Sequence, residues 1–588
     1  MVALKRRARA KWQKTHAPDD RRLYNTASNK LKTALRDLRN DSFTKYVSTL
    51  RRDDYSIWKP IKARKKPQAP LPPIRQNTIP PGPWAKSDTE KVKLFANHLA
   101  EVFTPHDNSP DPQVERELAN EIQPTDKIRI FTLRELTQAI KKLHPGRAPG
   151  SDLITAQMLQ EMPHEGYQTL LYIFNAIRRL QYWPAPLKQA KIIMIQKPGK
   201  NPTDVASYRP ISLLPIISKL LEKLLLKRIY RDSNLQELIP SHQFGFRKEH
   251  STIQQCHRIT DIINKAFEEH KYCSAIFLDV SQAFDKVWHQ GLLYKIKQTL
   301  PAKYLNLLQS YLSDRYFSVS HNNKSSSSFP MLSGVPQGSV LGPFLYTLYT
   351  ADLPQSDKTT LSTFADDTAI FTTDPDPTQA TANLQEHLLD IITWTRRWKL
   401  KINESKSTHI SFTLRRGQCP PVKINQTDIP QAETVRYLGI HFDRRLTWKD
   451  HVQTKRKQLE HKTREIRWLI GRHSPLSLEN KILIYKTVLK PVWTYGIELW
   501  GCTSNSNIEI IQRYQSKTLR ILTNAPWYVT NQTLHSDLHI PYVREVFQER
   551  IATHRTAIAS HPNPLMAPLL HFPTTRRLKR RWTLDGTH

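Results

Sequence analysis

Two neighbouring aspartates, Asp366 and Asp367, lie between two short apolar segments and are the first candidates for chemistry in this sequence. The segments, Leu361–Ala365 and Thr368–Thr372, have the length and composition of β-strands, which predicts a hairpin with carboxylates at its tip. Aspartate is also common in ordinary turns, because its side chain bonds to nearby backbone. On these residues alone, the ordinary turn is the stronger interpretation.

A third carboxylate, Asp279, changes that balance because it directly follows the apolar strand Ala275–Leu278. If that strand and the hairpin are neighbours in one sheet, Asp279, Asp366 and Asp367 meet at one edge. Like charges there raise one another's pKa unless a cation intervenes. Oxygen ligands beside a phosphate substrate favour Mg²⁺, with Mn²⁺ as the alternative. Two such ions would activate an attacking hydroxyl and stabilise a leaving pyrophosphate.

Candidate phosphate-binding cations come earlier in the chain. Lys197 and Lys200 flank a Pro-Gly turn, and Arg209 lies between proline-rich turn signals and an apolar helix. An arginine can grip a triphosphate through its planar fork of donors. The alternative is a solvated loop charge, which is the usual situation of any single lysine or arginine.

Glycine is scarce, with 16 in 588 residues, yet three fall within nine positions at Gly334, Gly338 and Gly342. Glycine allows the backbone to approach a ligand closely, so the loop Gly334–Pro343 is a candidate ligand contact. A turn preceding a helix explains the same pattern equally well.

The elements that must position these residues are short and mixed. Apolar spacing predicts helices over 167–180, 211–230, about 377–398 and most of the chain after 446, where Val452, Leu459 and Ile466 form a narrow stripe. Strands are predicted at Lys191–Ile195 and Ser274–Leu278, as strand–turn–strand at Leu361–Thr373, and as a pair at Ser407–Phe412 and Val435–Phe442. Because no regular βαβ alternation is present, this order predicts an α+β fold.

Composition limits the classes of function. The chain has 88 Lys and Arg against 52 Asp and Glu, a formal charge of +36, which indicates a polyanionic partner. Its four cysteines are widely spaced with no CxxC pair, which argues against a zinc site and indicates reduced thiols in an intracellular protein. No run of ~18 apolar residues occurs, so no membrane span is expected.

Six motifs, in this order, resemble those of reverse transcriptases. They are Ser207-Tyr-Arg-Pro-Ile-Ser-Leu-Leu214, Phe277-Leu-Asp-Val-Ser-Gln-Ala-Phe-Asp-Lys-Val-Trp-His289, Gly334-Val-Pro-Gln-Gly-Ser-Val-Leu-Gly-Pro343, Phe364-Ala-Asp-Asp367, Lys399-Leu-Lys-Ile-Asn-Glu-Ser-Lys406 and Tyr437-Leu-Gly-Ile440. The combination is close to the polymerases of non-LTR (LINE-type) retrotransposons, especially the jockey group. Any one motif is weak, but six in order over about 235 residues make chance agreement negligible. The resemblance extends, less specifically, to Asn524-Ala-Pro-Trp-Tyr528.

The resemblance implies a right-hand polymerase with fingers, a palm with an antiparallel sheet, a helical thumb, and helical N- and C-terminal extensions. It implies that Asp279 and Asp366 hold two catalytic metal ions and that Asp367 completes the acidic cluster. The implied activity is RNA-directed DNA polymerisation, with an RNA template, a DNA primer or target, and deoxynucleoside triphosphates.

The same resemblance assigns roles to the residues around the cluster. Lys406 is similar to the proton donor to pyrophosphate, and Arg209 to the finger arginine on the triphosphate; Lys197 stays a nucleotide-binding candidate from its own position. Phe284 resembles the ring that clashes with a 2′-hydroxyl and so selects deoxynucleotides. The remaining matches are Gln337 and Gly338 in the loop that contacts nucleotide and template, and Tyr437, Leu438 and Gly439 in the primer-grip hairpin. An ordinary core position for Phe284 and a solvated position for Lys406 are the alternatives.

Composition and resemblance together predict five segments. They are a basic helical arm at 1–66, a Pro-rich linker at 67–83 with seven prolines, an extension to the fingers at 84–176, the fingers and palm at 177–443, and a basic helical thumb with the C-terminal segment at 444–588.

The chain also differs from full-length members of this family, which usually carry an endonuclease ahead of the polymerase and often a separate nucleic-acid-binding reading frame. No endonuclease constellation precedes residue 100, so we expect a truncated copy or an incomplete gene model. An RNA-binding protein encoded by the same element is a candidate partner. Two other functions stay open: an RNA-dependent RNA polymerase, and a catalytically dead RNA-binding remnant.

Function and the basic run Arg576–Arg581 together predict residence in the nucleus, with a cytoplasmic ribonucleoprotein stage. A solvated tail explains the run equally well.

Overall fold

The chain forms two compact units in a computed structural model that describes residues 1–50, 58, 71–76, 82–107, 109–120, 126–234, 238–571, 576–579 and 581–585. One unit comprises Met1–Ala69 and Trp448–Arg550, and the other comprises Pro70–Thr447 and Ile551–His588. Each unit therefore joins segments that are far apart in sequence. The bounds of the five segments stay a prediction.

The second unit is built on an antiparallel four-stranded sheet. Its strands, in spatial order, are Thr360–Phe364, Asp367–Asp374, Tyr272–Leu278 and Thr408–Phe412. The strand Tyr272–Leu278 has a neighbour on both edges, and the helices Thr252–Glu268 and Pro377–Arg397 pack against it, so every one of its residues is buried. Burial on both faces is the reason why its residues from Ala275 to Leu278 are all apolar rather than alternating.

A second sheet in this unit carries the predicted cationic residues. Ala190–Gln196 pairs antiparallel with Tyr208–Leu213 and parallel with Tyr316–His321, beside the short strands Lys324–Ser325 and Phe329–Pro330. The prediction of a helix from residue 211 was wrong at its start, because Ile211–Leu213 continues the strand and the helix begins at Ile216, after Pro215. Apolar spacing alone does not separate a short buried strand from the first turn of a helix.

Two small hairpins lie further along this unit, one joining Lys423–Ile424 to Thr427–Asp428 and one joining Thr434–Tyr437 to Ile440–Asp443. The predicted pairing of Ser407–Phe412 with Val435–Phe442 was wrong. The former pairs with the central strand of the four-stranded sheet, and the latter folds back on itself. The cause is the two-residue loop Leu438-Gly439, whose φ angles of 46° and 79° are those of a turn that closes tight hairpins.

Helices surround the two sheets. They span Asp88–Val102, Pro112–Ala119, Leu133–Lys141, Ala156–Gln160, His164–Leu180, Ala185–Lys188, Ile216–Asp232, Thr252–Glu268, His289–Thr299, Leu305–Leu312, Leu341–Tyr349 and Pro377–Arg397, with short 3₁₀ turns at Val205–Ser207, Ala302–Tyr304 and Pro564–Leu570. The helix Val543–Ala559 begins in the other unit and ends in this one.

The first unit is helical in its described part. Its helices are Val2–Thr15, Pro18–Ser48, Lys449–Ile470, Leu478–Ile484, Lys490–Thr494, Ile497–Trp500, Asn505–Thr523 and Asn531–Asp537, with a π-helical turn at Tyr485–Leu489. The stripe predicted from Val452, Leu459 and Ile466 is confirmed, because all three are buried. The basic arm is helical as predicted, through the helices Val2–Thr15 and Pro18–Ser48, and residues 51–57 and 59–66 lie outside the described residues.

The segment predicted as a linker at 67–83 is described only in part, because residues 67–70 and 77–81 lie outside the described residues. In the described part, Ile74 is fully buried and exchanges two backbone hydrogen bonds with Ala85, at 3.1 and 2.8 Å. This part of the chain is extended, as predicted, but it is packed against a core rather than free. None of the helices in the described residues is long and apolar enough to cross a membrane.

Candidate active site

Three carboxylates meet at one edge of the four-stranded sheet. The register pairs Leu278 with Thr368 and Phe364 with Asp367, so Asp279 and Asp367, the next residues along the two antiparallel strands, face each other. Asp366 occupies the two-residue loop that joins the hairpin strands. The backbone of Asp279 is anchored on both sides: its N–H donates to Ser407 Oγ at 3.2 Å and its carbonyl accepts from Asn403 N–H at 2.8 Å.

Burial and mutual repulsion raise the pKa of two of the three carboxylates at this edge. Desolvation raises the pKa of Asp366, and the charge of Asp279 raises it further, although Arg209 partly offsets them. Asp367 is exposed to solvent, yet desolvation followed by the charges of Asp366 and Asp279 raises its pKa to about 6. A cation placed here would relieve both the desolvation cost and the mutual repulsion.

The donor set suits a magnesium ion that is shared with a phosphate substrate. Within the described residues, no three His, Cys, Asp or Glu side chains form a closed set able to hold a metal ion by themselves. Mg²⁺ in proteins is commonly held by one or two carboxylates, with substrate phosphates and water completing its shell. The carboxylates of Asp279 and Asp366 fit that kind of open site.

The tip of the hairpin is held by a residue that the sequence analysis missed. Ala365 has φ of +57°, which is unfavourable for a residue with a side chain, and Gln243 supports it. Gln243 Oε1 accepts from Ala365 N–H at 2.8 Å and from Gly245 N–H at 2.7 Å. A Cβ on Gly245 would lie 2.2 Å from the Ala365 nitrogen, so only glycine allows this approach. Gly245 was the available sequence signal for this contact, because glycine is rare in this chain.

Three cations lie around the carboxylates. Lys406 Nζ is 3.5 Å from Asp279 Oδ2, with the two side chains 58% and 45% exposed. Arg209 lies opposite Ile195 in the paired strands, and Ile195 is two residues before Lys197 in the chain. Burial lowers the pKa of Lys197, and the charges of Lys406 and Arg209 lower it further. The Nζ of Lys197 also donates to the carbonyl of Ala206 at 2.9 Å.

The glycine-rich loop lies against the strand that carries Arg209. The carbonyl of Gln337 accepts from Ser212 N–H at 2.9 Å, and Gly338 has φ of +119°. A Cβ at Gly338 would lie 2.6 Å from the Ser212 carbonyl oxygen, so this loop needs glycine for a close backbone approach. The helix Leu341–Tyr349 follows directly, as the turn interpretation predicts, and contact of the loop with a ligand stays a prediction.

Two buried carboxylates, neither of which was predicted, position that loop. Gln337 Nε2 donates to both oxygens of Asp285, at 2.8 and 3.0 Å. Burial raises the pKa of Asp285 to about 7, although the hydrogen bond from Gln337 and the charges of Lys197 and Lys286 lower it. Glu222 accepts from the N–H groups of Val340 and Leu341, at 2.6 and 3.0 Å, at the start of the following helix. An acidic residue on an apolar helix was the signal for Glu222.

Phe284 lies one aromatic ring away from the carboxylates. It stacks on Tyr346 with centroids 4.3 Å apart, and Phe246 meets its edge at 6.0 Å. Tyr346 lines the same cavity as Ala365 and Thr368, which flank the two aspartates in sequence, and its pKa is raised by burial and by the charges of Asp366 and Asp367. Phe284 also packs against the main core, and both its predicted gating role and the core alternative stay open.

The hairpin predicted as a primer grip lies against the same cluster. Tyr437 is buried, and its hydroxyl donates to the Asp367 backbone carbonyl at 3.3 Å while its ring packs on Phe277. Leu438 and Gly439 form the loop of this hairpin. The structure therefore brings Asp279, Asp366, Asp367, Lys406 and Tyr437 together at one sheet edge. The other predicted residues lie on neighbouring segments, and the individual roles of all of them stay predictions.

Comparisons with known proteins agree with this geometry. Residues 195–442 match a family model described as reverse transcriptase (RNA-dependent DNA polymerase). The chain is 39% identical over 596 residues to the probable RNA-directed DNA polymerase from transposon X-element of Drosophila melanogaster, covering 100% of this chain and 65% of the relative. It is 36% identical over 607 residues to the RNA-directed DNA polymerase from mobile element jockey of Drosophila melanogaster, covering 100% of this chain and 66% of the relative.

The chain thus spans just under two thirds of the length of these relatives. Among solved structures, the telomerase of Candida tropicalis, in complex with a fragment of telomeric RNA, aligns with 70% of this chain and 69% of that chain, at a TM-score of 0.33 and 13% identity.

Proposed function

We propose that this chain, which carries a reverse transcriptase domain of the jockey-like, non-LTR retrotransposon type, is an RNA-directed DNA polymerase that extends a DNA 3′-hydroxyl along an RNA template. The observation that carries the proposal is the convergence of Asp279, Asp366 and Asp367 at one sheet edge, with raised pKa values for Asp366 and Asp367. That edge holds negative charge poised for divalent cations and lies beside cations suited to a triphosphate.

In this proposal, Asp279 and Asp366 hold two divalent ions, and Asp367 adds negative charge beside them. When bound, the ions would lower the pKa of the attacking 3′-hydroxyl and neutralise charge on the leaving pyrophosphate. The anchored backbone of Asp279 and the Gln243-supported hairpin tip keep the carboxylates in place, so little reorganisation is needed at the moment of reaction.

The neighbouring residues bind and orient the nucleotide. Arg209 and Lys197 would pair with the triphosphate oxygens from the second sheet, because their charges already act at this edge. Lys406, beside Asp279, would donate a proton to the leaving pyrophosphate. The loop at Gln337 and Gly338 would support the base and the template, and Tyr437, Leu438 and Gly439 would support the primer end.

Primer extension with the Asp366→Ala variant tests this proposal. On a DNA primer annealed to an RNA template with Mg²⁺, the variant should be at least ~10²-fold slower, because a transition-state-stabilising group is lost. Asp428→Ala is the matched control, since Asp428 is an exposed carboxylate on the separate hairpin Lys423–Asp428. Undiminished turnover of Asp366→Ala would refute the mechanism.

The same assay separates the rival functions. Preference for ribonucleoside triphosphates would indicate an RNA-dependent RNA polymerase, and template binding without extension on several template–primer pairs would indicate an inactive RNA-binding remnant. The element-encoded RNA-binding partner stays a prediction.

We also propose residence in the nucleus with a cytoplasmic ribonucleoprotein stage. Of the basic run behind this proposal, Arg580 lies outside the described residues, and Arg577 donates to the carbonyls of Phe267 and Glu268 at a helix end. Microscopy of a fluorescent fusion tests the proposal: exclusion from the nucleus in every cell-cycle stage would contradict it.

A further inference from the structure

The helix Asn505–Thr523 is followed by a tight turn that displays two aromatic rings. Asn524 ends the helix with φ of +54°, and Val529 N–H donates to the Pro526 carbonyl at 3.3 Å. This hydrogen bond closes a four-residue turn with Trp527 and Tyr528 at its two central positions. We call Pro526–Val529 the aromatic turn.

Both rings of the aromatic turn are exposed to solvent. Trp527 is 88% and Tyr528 is 70% exposed, and their centroids lie 6.0 Å apart at an interplanar angle of 79°. Large aromatic side chains are normally used in cores or interfaces, because their apolar surface is costly to expose. Two of them side by side therefore indicate a surface that meets a partner.

The aromatic turn is held in one conformation by an arginine. The Arg520 guanidinium donates to the carbonyls of Pro526 and Val529, at 2.6 and 2.8 Å, and to Asn531 Oδ1 at 3.0 Å. These bonds tie both ends of the turn to the preceding helix. A partner would thus find the backbone that carries the rings already ordered and would not have to order a free loop.

A basic cavity of about 750 Å³ adjoins the aromatic turn through Arg520 and Asn524. Its lining includes Arg464, Arg467 and Arg472 and contains no acidic side chain. These three arginines are exposed and have no ion-pair partner among the described residues. Their charge therefore remains available for an anionic partner.

Exposed aromatic rings beside unpaired cations match the chemistry of a single polynucleotide strand. Unpaired bases stack on aromatic rings, and the phosphates that link them pair with arginines. A protein partner would not require so concentrated a positive charge, and a duplex hides its base faces from such rings.

We propose that the aromatic turn is a stacking platform for unpaired bases of RNA, and that the basic cavity holds the adjoining phosphates. The choice of RNA rests on the proposed function, in which RNA is the template. The platform would hold template nucleotides that are not paired with the growing DNA. It is a binding site in its own right and takes no part in the chemical step.

Binding of a fluorescent 12-nucleotide RNA to the full-length chain, without nucleotides, tests the proposal. The double variant with Trp527→Ala and Tyr528→Ala should bind single-stranded RNA ~5- to 150-fold more weakly, which is the range for losing one stacked base. The binding of a blunt RNA–DNA duplex should not change. Trp527→Phe with Tyr528→Phe should retain most of the affinity, because phenylalanine keeps the ring faces.

Tyr172→Ala is the matched control, since Tyr172 is also 70% exposed but lies on the helix His164–Leu180 in the other unit. Arg467→Gln should weaken binding uniformly across RNA sequences and lower the dependence of log affinity on log salt by about one.

Three outcomes would overturn the proposal. One is unchanged RNA binding by the double variant, and another is an equal loss for RNA and for the blunt duplex. The third is a loss that is confined to single-stranded DNA or to anionic vesicles. Because the assay requires no extension, a chain that binds RNA through these rings but does not polymerise would refute the proposed function and leave the platform intact.

Discussion

The support of the hairpin tip by Gln243 provides a sharp test of how this site is built. The Gln243→Leu substitution keeps the volume of the side chain but removes the oxygen that accepts from Ala365 N–H and Gly245 N–H. Both donors are buried, so the variant must either leave them unsatisfied or move the tip.

The size of the effect follows from these two groups. A buried N–H without a partner costs about 1–3 kcal/mol, so the pair costs about 2–6 kcal/mol if nothing moves. The unfavourable αL conformation of Ala365 stores a further ~1–2 kcal/mol that a shift of the tip would release. Movement is therefore favoured, and it displaces Asp366 and Asp367. A displacement of ~1 Å at reacting groups costs about 10²-fold in rate.

Primer-extension rates and denaturant unfolding together measure this effect. We expect Gln243→Leu to be ~10²-fold slower while remaining folded, and Gly245→Ala to behave in the same way because its Cβ meets the Ala365 nitrogen. Gln515→Leu is the matched control: Gln515 is also fully buried, but it lies in the other unit, where its Nε2 donates to the Pro541 carbonyl at 2.9 Å. It should lose stability and keep turnover within a few-fold. If Gln243→Leu kept full activity with a reduced free energy of unfolding, the argument for positioning would fail.

Three further predictions concern titration and selectivity. The extension rate should fall as pH drops through about 6, because protonation of Asp367 removes charge from the cluster. The midpoint of this fall should move to lower pH as the Mg²⁺ concentration is raised. A midpoint that does not depend on Mg²⁺ would contradict the shared site. Asp367→Asn should raise the melting temperature at pH 7, because a carboxyl whose pKa is raised by folding destabilises the folded protein when it is charged. A lower melting temperature by calorimetry would contradict this. Phe284→Val should lower the preference for deoxy- over ribonucleotides by ~10–200-fold in a competition assay, and an unchanged ratio would support the core alternative.

A buried histidine pair predicts loss of stability in mild acid. His257 Nδ1 and His554 Nε2 are 3.1 Å apart, and burial lowers the pKa of His554 to about 4 and that of His257 in the same direction. Because the unfolded chain takes up protons near its ordinary pKa of about 6.5 and the folded chain does not, stability falls between pH 6.5 and 4. Urea unfolding across this range should show the decline, and His554→Gln should flatten it.

Much of the site follows from local sequence. The end of an apolar strand at Asp279, the two strands around Asp366 and Asp367, and the order of the six motifs predict an α+β right-hand polymerase, and the reverse transcriptase match confirms that fold class. These features are visible because strand periodicity and turn chemistry act over a few neighbouring residues. The errors at Ile211–Leu213 and Val435–Phe442 arose where the pairing partner, rather than local spacing, decides the element.

Only the tertiary structure revealed what holds the site together. Gln243 reaches Ala365 across 122 positions of sequence, and Glu222 reaches Val340 across 118. Asp285 holds Gln337, a residue 52 positions later. Nothing local distinguishes these polar residues from others of their type. They become specific because burial leaves each one few partners, and only folding decides which backbone groups are brought within hydrogen-bond distance.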